Sequence, residues 1–277
     1  MKGPGKAERR KKKKKRAPLP VSRSPVYTLG VETSCDETSC AVIKNGTEIL
    51  SNVVSSSLFR HKKFGGVVPE IASRHSMEQI RCVFHEALEE AKIKASDLDL
   101  IAVTQGPGLI GSLLVGVSFA KALAYELEIP LVGVNHMEAH LVSNFFERPA
   151  PKKYVGLLVS GGHTMITFCH HQTIKVLGET IDDAVGEAYD KVAKILGLGY
   201  PGGPVIDALS KKGNPRAVLF TRPKLQGRFD TSFSGIKTAV LYLVKDPKTG
   251  RPKAHAPSKE DIAASFQHAV IGWLIDK

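Results

Sequence analysis

Residues 26–54 decide the start of the fold and read VYTLGVETSCDETSCAVIKNGTEILSNVV. Short runs rich in Val, Ile, Thr and Tyr are typical of β-strands, and we predict strands over 26–31, 39–43 and 48–54. The dipeptide Asn45-Gly46 favours a tight hairpin turn between the last two strands. The folded chain therefore opens with a three-stranded antiparallel meander.

Short apolar strands then alternate with helices. Proline is favoured in the first turn of a helix, so a helix is predicted from Pro69, where apolar residues recur at three- and four-residue spacing. We predict further strands over 98–104 and 131–134, and helices over 109–127 and 136–146. This alternation indicates an α/β fold in which parallel strands extend the opening meander.

The second half of the chain repeats the same theme after Pro149-Ala150-Pro151. Strands are predicted over 154–160, 163–169 and 173–177, and helices over 183–196, 203–212, 234–244 and 258–277. The repetition predicts two related lobes, residues 24–148 and 152–277. A ligand is then expected in the cleft between them.

The positive charge of the chain is concentrated at its N-terminus. Residues 1–23 contain eleven of the 39 Lys and Arg residues but one of the 27 Asp and Glu residues, so the remainder is nearly neutral. We predict a disordered basic tail over 1–23, because like charges repel and little apolar surface is present. The tail is either a solvated appendage or an auxiliary RNA-binding arm; its Lys-rich block does not resemble a mitochondrial transit peptide.

Composition excludes several other classes of protein. With 277 residues and 42% hydrophobic residues, the chain can bury a core without a structural metal or disulfide. The four cysteines form no C-x-x-C pair and no apolar run reaches about 18 residues, so a disulfide framework and a membrane span are not predicted. A cytoplasmic protein without a membrane partner is expected.

Two histidines form a candidate metal site. His136 and His140 are four residues apart at the start of a predicted helix, so their side chains share one face and can supply two nitrogen ligands. Such a pair also arises by chance. Met137 follows His136, so the H-E-x-x-H motif of a metalloprotease is absent.

Two glycine-rich segments allow different interpretations. Gly106-Pro-Gly-Leu-Ile-Gly111 matches a dinucleotide-binding pattern, but no acidic residue follows the next strand, so a turn with close helix packing is the preferred interpretation. Ser160-Gly161-Gly162 ends a buried strand, and backbone amides at such a bend can bind an anion. An ordinary glycine hairpin remains the alternative. The polar hairpin over 32–38 is its counterpart in the first lobe.

Acidic residues follow the second meander. Asp183, Glu187 and Asp190 are spaced to share one face of a predicted helix, which indicates either a ligand site or a solvated surface. A glycine-rich loop over 197–204 then leads into a helix whose N-terminus can hold an anion, and Asp207 lies one turn into it.

Eight ordered motifs resemble one known family. They cover residues 30–38 (GVETSCDET), 65–75 (GGVVPEIASRH), 106–111 (GPGLIG), 135–140 (NHMEAH), 158–164 (LVSGGHT), 186–191 (GEAYDK), 200–204 (YPGGP) and 233–238 (FSGIKT). The chain resembles the TsaD-type tRNA N6-adenosine threonylcarbamoyltransferases, and the sequence of residues 67–74 is similar to that of the bacterial branch.

The resemblance implies an actin-like (sugar kinase/Hsp70-like) ATPase fold of two lobes. It also implies one divalent ion per subunit, iron or zinc, bound by His136 and His140. The implied substrate is threonylcarbamoyl-AMP, held by a set of residues in the second lobe: Leu158, Val159, Ser160, Gly161, Gly162, Asp190, Gly203 and Asp207.

The implied acceptor is N6 of the adenosine next to the anticodon in tRNAs that read ANN codons, and the implied partners are a TsaB-like paralogue and a TsaE-like ATPase. No residue is assigned as the general base. The family continues beyond Lys277 into an adenosine contact and a third metal ligand, so an incomplete second lobe is expected. A catalytically inactive homologue that binds tRNA or the partner is the alternative; a small-molecule kinase is disfavoured by the absence of sugar-binding signals.

Overall fold

The protein contains two β-sheets, one in each half of the chain. The structure is a computed structural model, which describes residues 25–146, 148–171 and 173–277. The predicted basic tail lies outside the described residues. Both sheets are accompanied by helices, so the predicted α/β class is confirmed. No helix among the described residues has the length and apolar character required to cross a bilayer.

The first sheet has five strands in the order β3-β2-β1-β4-β5. β1 is antiparallel to β2 and parallel to β4, and β4 is parallel to β5. Asn45 and Gly46 both have positive φ angles, 53° and 77°, as the predicted tight hairpin turn requires. The strands span β1 Tyr27–Glu32, β2 Glu37–Lys44, β3 Glu48–Ser56, β4 Leu100–Gly106 and β5 Leu131–Asn135.

Four helices belong to this lobe, and two of them are long. Pro69 starts α2 as predicted, and α2 and α3 bury their apolar residues against the sheet in one core that includes Leu29, Phe84 and Ile101. The short helix α1 after β3 was not predicted, and the helix predicted over 136–146 ends earlier, in a 3₁₀ turn. The helices span α1 Leu58–His61, α2 Pro69–Ala91, α3 Ile110–Glu126 and α4 His136–Val142.

The second sheet is an antiparallel meander of three strands, β6-β7-β8. Four helices follow it and pack around a core that includes the fully buried side chains of Phe233, Phe266 and Ile206. The elements span β6 Lys153–Val159, β7 Thr164–His170, β8 Thr173–Glu179, α5 Val185–Leu196, α6 Gly202–Ser210, α7 Ser234–Val244 and α8 Lys259–Ile275.

The two sheets begin alike and then differ. In the first, β1 pairs with β2 on one side and with β4 on the other, whereas β6 pairs only with β7 among the described strands. Val155, Leu157 and Val159 on β6 are 65%, 50% and 44% exposed. The edge of the second sheet therefore presents apolar side chains to solvent.

Gly108, between β4 and α3, and Gly116, within α3, allow close packing against the β1–β2 hairpin. A Cβ atom on Gly108 would lie 2.5 Å from the carbonyl oxygen of Ser34, and one on Gly116 would overlap the side chain of Thr33. Leu109 also donates its N–H to the Ser34 carbonyl at 2.7 Å. The packing interpretation of this glycine pattern is thus confirmed, because the hairpin occupies the space next to these glycines.

We expect Gly108→Ala to lower the free energy of unfolding by about 1–3 kcal/mol, because the added methyl group meets the Ser34 backbone, which cannot rotate away. Urea unfolding measures the change. Gly66→Ala is the matched control, since no atom of the described structure lies within 4 Å of its Cβ position. An equal loss in both variants would contradict this explanation.

Candidate functional site

The candidate metal pair lies at the start of α4. The side chain of Asn135 accepts hydrogen bonds from the N–H groups of Met137 at 2.9 Å and Glu138 at 3.3 Å, so it caps the helix directly after β5. This cap fixes where the helix begins. His136 and His140 consequently lie one turn apart on the same side of α4.

The two imidazole rings converge. Their Nε2 atoms are 3.1 Å apart and the ring planes are inclined by 74°. Two nitrogen ligands at about 2.0–2.1 Å from one ion are separated by about 2.8–3.4 Å in octahedral or tetrahedral geometry. The spacing of this pair therefore suits two adjacent ligands of an ion, and imidazole nitrogen suits both iron and zinc.

Glu32 at the end of β1 orients His136. Its Oε2 lies 3.2 Å from Nδ1 of His136, and the hydroxyl of Ser34 lies 3.3 Å from the same nitrogen. Burial of Glu32 opposes ionisation, but hydrogen bonds from His136, Ser34 and Thr104 outweigh it and lower the pKa of Glu32 to about 2. The ionised carboxylate bonds to Nδ1 of His136, so Nε2 faces His140. Metal-binding histidines commonly have such a carboxylate on the ring nitrogen that does not bind the metal.

A third imidazole joins this cluster from the other lobe. The ring of His163, which follows the Gly161-Gly162 bend, is centred 6.5 Å from the ring of His136. Burial, followed by the influence of His136, lowers the pKa of both His140 and His163. Both rings are therefore neutral near pH 7 and have a nitrogen lone pair available.

The described residues do not bring together three His, Cys, Asp or Glu side chains that could hold a metal ion. The donors present are His136 and His140, with Glu32 bonded to the far side of one ring. The pair thus fits an ion in donor type and spacing, as two of its ligands.

The glycine bend between β6 and β7 is open on one side. Gly161 and Gly162 are exposed, and no acceptor among the described residues takes their N–H groups. The Ser160 amide, in contrast, donates to the His163 carbonyl at 2.8 Å. The expectation that all three amides face a ligand is therefore wrong for Ser160, because its N–H closes the hairpin turn.

The first turn of helix α5 packs against this bend. A Cβ atom on Gly186 would lie 2.7 Å from the Ser160 carbonyl oxygen and from Cα of Gly161. The N–H of Gly186 donates to that Ser160 carbonyl at 3.2 Å, and Val185 donates to the hydroxyl of Thr164 at 2.9 Å. The first turn of α5 thus fixes the shape of the bend, and only glycine fits at position 186.

The strand residues before the bend differ in exposure. Leu158 is 6% exposed and Val159 is 44% exposed. The side chain of Leu158 belongs to the interior of the lobe, so a ligand can reach this residue through its backbone alone.

Asp190 and Gly203 meet where α5 contacts the start of α6. Oδ1 of Asp190 accepts a hydrogen bond from the N–H of Gly202 at 2.6 Å, and burial raises the pKa of Asp190. No described atom lies within 4 Å of a Cβ position on Gly203, so space is open there. Asp190 follows Gly186 by one turn of the same helix, which places it on the same side as the glycine bend.

Asp207 is connected through Gln267 to Tyr189, the residue before Asp190. Gln267 on α8 donates to Asp207 at 3.2 Å and accepts from the hydroxyl of Tyr189 at 3.4 Å. Hydrogen bonds from Lys211 and then Gln267 lower the pKa of Asp207. Asp207 is therefore an ionised carboxylate one turn beyond Gly203.

The predicted acidic helix face is only partly correct. α5 begins at Val185, so Asp183 precedes the helix and does not share a helical face with Glu187 and Asp190. Lys191 bridges Asp183 at 2.6 Å and Glu187 at 2.7 Å. Because Lys191 pairs with both Asp183 and Glu187, and Lys237 also lies 3.4 Å from Asp183, Asp190 alone remains for the candidate ligand site.

Sequence reasoning missed several residues that shape the site. Glu32, Ser34 and His163 lie within the recognised motifs, but the sequence does not indicate that they lie near His136, because they are far from it along the chain. Gln267 carried no local signal at all. A His directly after a Gly-Gly bend was the one feature that could have indicated the role of His163.

Comparison with known proteins identifies the family. The sequence model described as "TsaD: tRNA N6-adenosine threonylcarbamoyltransferase" matches residues 48–277. A protein of Thermosipho melanesiensis with that enzyme name is 53% identical over 254 residues, which cover 91% of this chain and 76% of the relative. One of Bacillus subtilis is 50% identical over 253 residues, covering 91% and 72%.

Solved structures show weaker similarity. The component A of (R)-2-hydroxyglutaryl-CoA dehydratase from Acidaminococcus fermentans is 16% identical, with a TM-score of 0.48 and coverage of 91% of this chain and 77% of the other. YeaZ from Pseudomonas aeruginosa is 17% identical, with a TM-score of 0.37 and coverage of 55% and 64%. The family assignment does not depend on these two similarities.

The sequence matches confirm the predicted family and, with it, the predicted actin-like fold. These relatives are bacterial, as the sequence of residues 67–74 predicted. The family name specifies both the reaction and the substrate, a threonylcarbamoyl transfer to N6 of adenosine in tRNA. The chain belongs to the TsaD family of tRNA N6-adenosine threonylcarbamoyltransferases, and it is a tRNA-modifying acyltransferase.

Proposed function

We propose that this chain takes the threonylcarbamoyl group from threonylcarbamoyl-AMP and transfers it to the adenosine next to the anticodon of tRNAs that read ANN codons. The reactants occupy the space between two lobes, residues 24–148 and 152–277. The protein works in the cytoplasm. One contact supports the location best: His136 of the first lobe lies 6.5 Å, ring to ring, from His163 beside the glycine bend of the second.

The donor substrate binds to the second lobe. The exposed amides of Gly161 and Gly162 donate to its polar groups, and the backbone of Leu158 and Val159 and the hydroxyl of Ser160 line the same bend. Donors fixed in position before the reaction stabilise developing charge without reorganisation. The bend is such a fixed element because Gly186 packs directly against it.

Asp190, Gly203 and Asp207 bind the other end of the donor substrate. The open space at Gly203 lies at the N-terminus of α6, where partial positive charge favours an anion. Carboxylates at Asp190 and Asp207 accept hydrogen bonds from hydroxyl groups. A nucleotide with a phosphate and a ribose matches this combination.

His136 and His140 would hold one iron or zinc ion, and Glu32 keeps the His136 ring in the required orientation. When bound, such an ion supplies Lewis-acid polarisation of an oxygen atom of the substrate. In the transfer, the bond between the carbamoyl carbon and the phosphate oxygen breaks and AMP leaves with the bonding electron pair. N6 of adenosine forms the new bond to the carbamoyl carbon and releases a proton to water.

Incubation of the purified protein with its partners, unmodified tRNA and threonylcarbamoyl-AMP tests the proposal. Mass spectrometry of the digested tRNA should reveal threonylcarbamoyladenosine. If tRNA and partner bind but no modified nucleoside forms, the chain is the catalytically inactive homologue instead.

The double variant His136→Ala and His140→Ala should lose bound metal and transfer activity together, since it removes both converging nitrogens. Elemental analysis of the purified protein provides the readout that is independent of activity. Glu32→Gln should bind the metal about 10–100-fold more weakly, because the carboxylate that orients His136 is neutralised. His255→Ala, an exposed histidine, is the control and should retain full metal content; unchanged metal in the double variant would refute the site.

We also propose where a TsaB-like paralogue binds, with a TsaE-like ATPase acting on the resulting complex. Helices α2 and α3 cross where a Cβ atom on Gly111 would lie 3.1 Å from Cβ of Ser73. Met77, Ile110 and Leu114, each within one turn of this crossing, are 69%, 84% and 64% exposed. Clustered exposed apolar side chains indicate a protein–protein contact.

Leu114→Asp should weaken binding of the TsaB-like partner at least ten-fold, because a charge would be buried in an apolar contact. Calorimetry or size-exclusion chromatography with the partner measures the effect. Leu219→Asp changes an even more exposed leucine elsewhere, 90% exposed, and should bind normally. Normal binding by both variants would exclude this surface.

A further inference from the structure

A groove on the first lobe combines positive charge with one exposed aromatic ring, that of Phe59, and a second exposed ring, Phe64, directly follows its lining residue Lys63. Its cavity of about 550 Å³ lies between the turn after β3 and the first half of α2. That volume lies within the usual range of ligand sites. One carboxylate, Glu78, lines it together with four cationic side chains, those of Arg60, Lys62, Lys63 and Arg74.

Residues 57–64, which comprise α1 and the 3₁₀ turn Lys62–Phe64, form the segment on one side of the groove, here called the groove segment. Two phenylalanines stand at its surface. Phe59 is 66% exposed and Phe64 is 50% exposed, although phenylalanine normally packs inside a protein. The guanidinium carbon of Arg60 lies 5.6 Å from the Phe59 ring centre, and Nζ of Lys63 lies 5.0 Å from the Phe64 ring centre. Exposed rings beside cations form the kind of surface on which unpaired bases stack.

The charges of the groove are only partly neutralised. Arg60 pairs with Glu78 at 2.9 Å, and Arg74 pairs with Glu70 at 2.9 Å. Lys62 and Lys63 form no ion pair with any described carboxylate, and both are exposed. These two lysines are therefore available to a phosphate backbone.

The groove segment is attached firmly to the β1–β2 hairpin. The N–H and hydroxyl groups of Ser57 both donate to the carbonyl of Asp36, at 2.8 and 2.7 Å. The buried ring of His61 bonds to the Ser57 hydroxyl at 2.9 Å and accepts the N–H of Val68 at 3.2 Å. The buried His61, hydrogen-bonded through both ring nitrogens, fixes the backbone that carries the exposed lysines.

The same hairpin carries the residue that orients the candidate metal pair. Both contacts come from the turn of this hairpin: Glu32, at the end of β1, holds His136, while the carbonyl of Asp36, just before β2, holds the groove segment. The Cβ position of Gly65, just after the 3₁₀ turn of the groove segment, lies 4.0 Å from Nζ of Lys194 on α5. The groove therefore borders the cleft between the lobes.

We propose that this groove binds the unpaired loop of the substrate RNA, an inference that rests on the proposed function. Lys62 and Lys63 contact phosphates, and Phe59 and Phe64 stack on bases that flank the acceptor adenosine. RNA loops are recognised in this way because their bases are unstacked and accessible. Because Arg60 and Arg74 are paired with Glu78 and Glu70, Lys62 and Lys63 supply the excess positive charge that suits this polyanion.

The test measures binding of unmodified tRNA with an ANN-reading anticodon to the full chain with its partners at several salt concentrations. Lys62→Ala with Lys63→Ala should reduce the slope of log K against log salt by about 0.7 for each lysine removed. Phe59→Ala with Phe64→Ala should weaken tRNA binding about five-fold or more, yet leave binding of a fully paired RNA duplex unchanged.

The control is Lys248→Ala with Lys253→Ala, which removes the same charge from an exposed turn of the second lobe. An equal change in slope in both lysine variants, or none in either, would overturn the proposal. If Lys62→Ala with Lys63→Ala abolishes partner binding but leaves the slope of log K against log salt for tRNA unchanged, the groove is a protein-docking surface instead. Failure of the proposed function is distinguishable, because the wild-type chain would then bind tRNA without producing threonylcarbamoyladenosine.

Discussion

The carboxylate of Glu32 is the constraint on which the site depends. It lies at the end of the central strand β1 and contacts Nδ1 of His136 at 3.2 Å, across a sequence distance of more than one hundred residues. Because its pKa is lowered to about 2, it stays ionised and holds the imidazole in one orientation. Nε2 of that ring then faces His140, so the geometry of the pair is determined by the sheet as well as by α4.

Close backbone contacts extend this constraint to both lobes. Gly108 lets the turn before α3 press against the Ser34 carbonyl, and Gly186 lets the first turn of α5 press against the Ser160–Gly161 bend. Each contact leaves no room for a side chain, so each hairpin is held at a fixed distance from a helix. The resulting rigidity suits a site that must place two reactants together, since small displacements reduce transfer rates strongly.

The first meander, the α/β class and the His136/His140 pair could be predicted because each depends on local pattern. Alternation of residue types specifies strands, and a four-residue spacing on a helix places two rings on one side. The limits of this reasoning are visible at Asp183, which the helical spacing grouped with Asp190 although α5 begins two residues later. The groove segment around Lys62 and Lys63 gave no strong periodicity, and its short helix was not predicted.

By itself, the sequence determined the family, the elements of both lobes except the short helix α1, and the types of side chain available for chemistry. Tertiary structure alone decided that Glu32 faces His136, that His163 approaches from the other lobe, and that Ser160 uses its amide within the turn. The physical reason is that spacing along the chain reports neighbours within one helix or strand. Contacts between distant segments depend on how the sheets and helices pack, which no local pattern records.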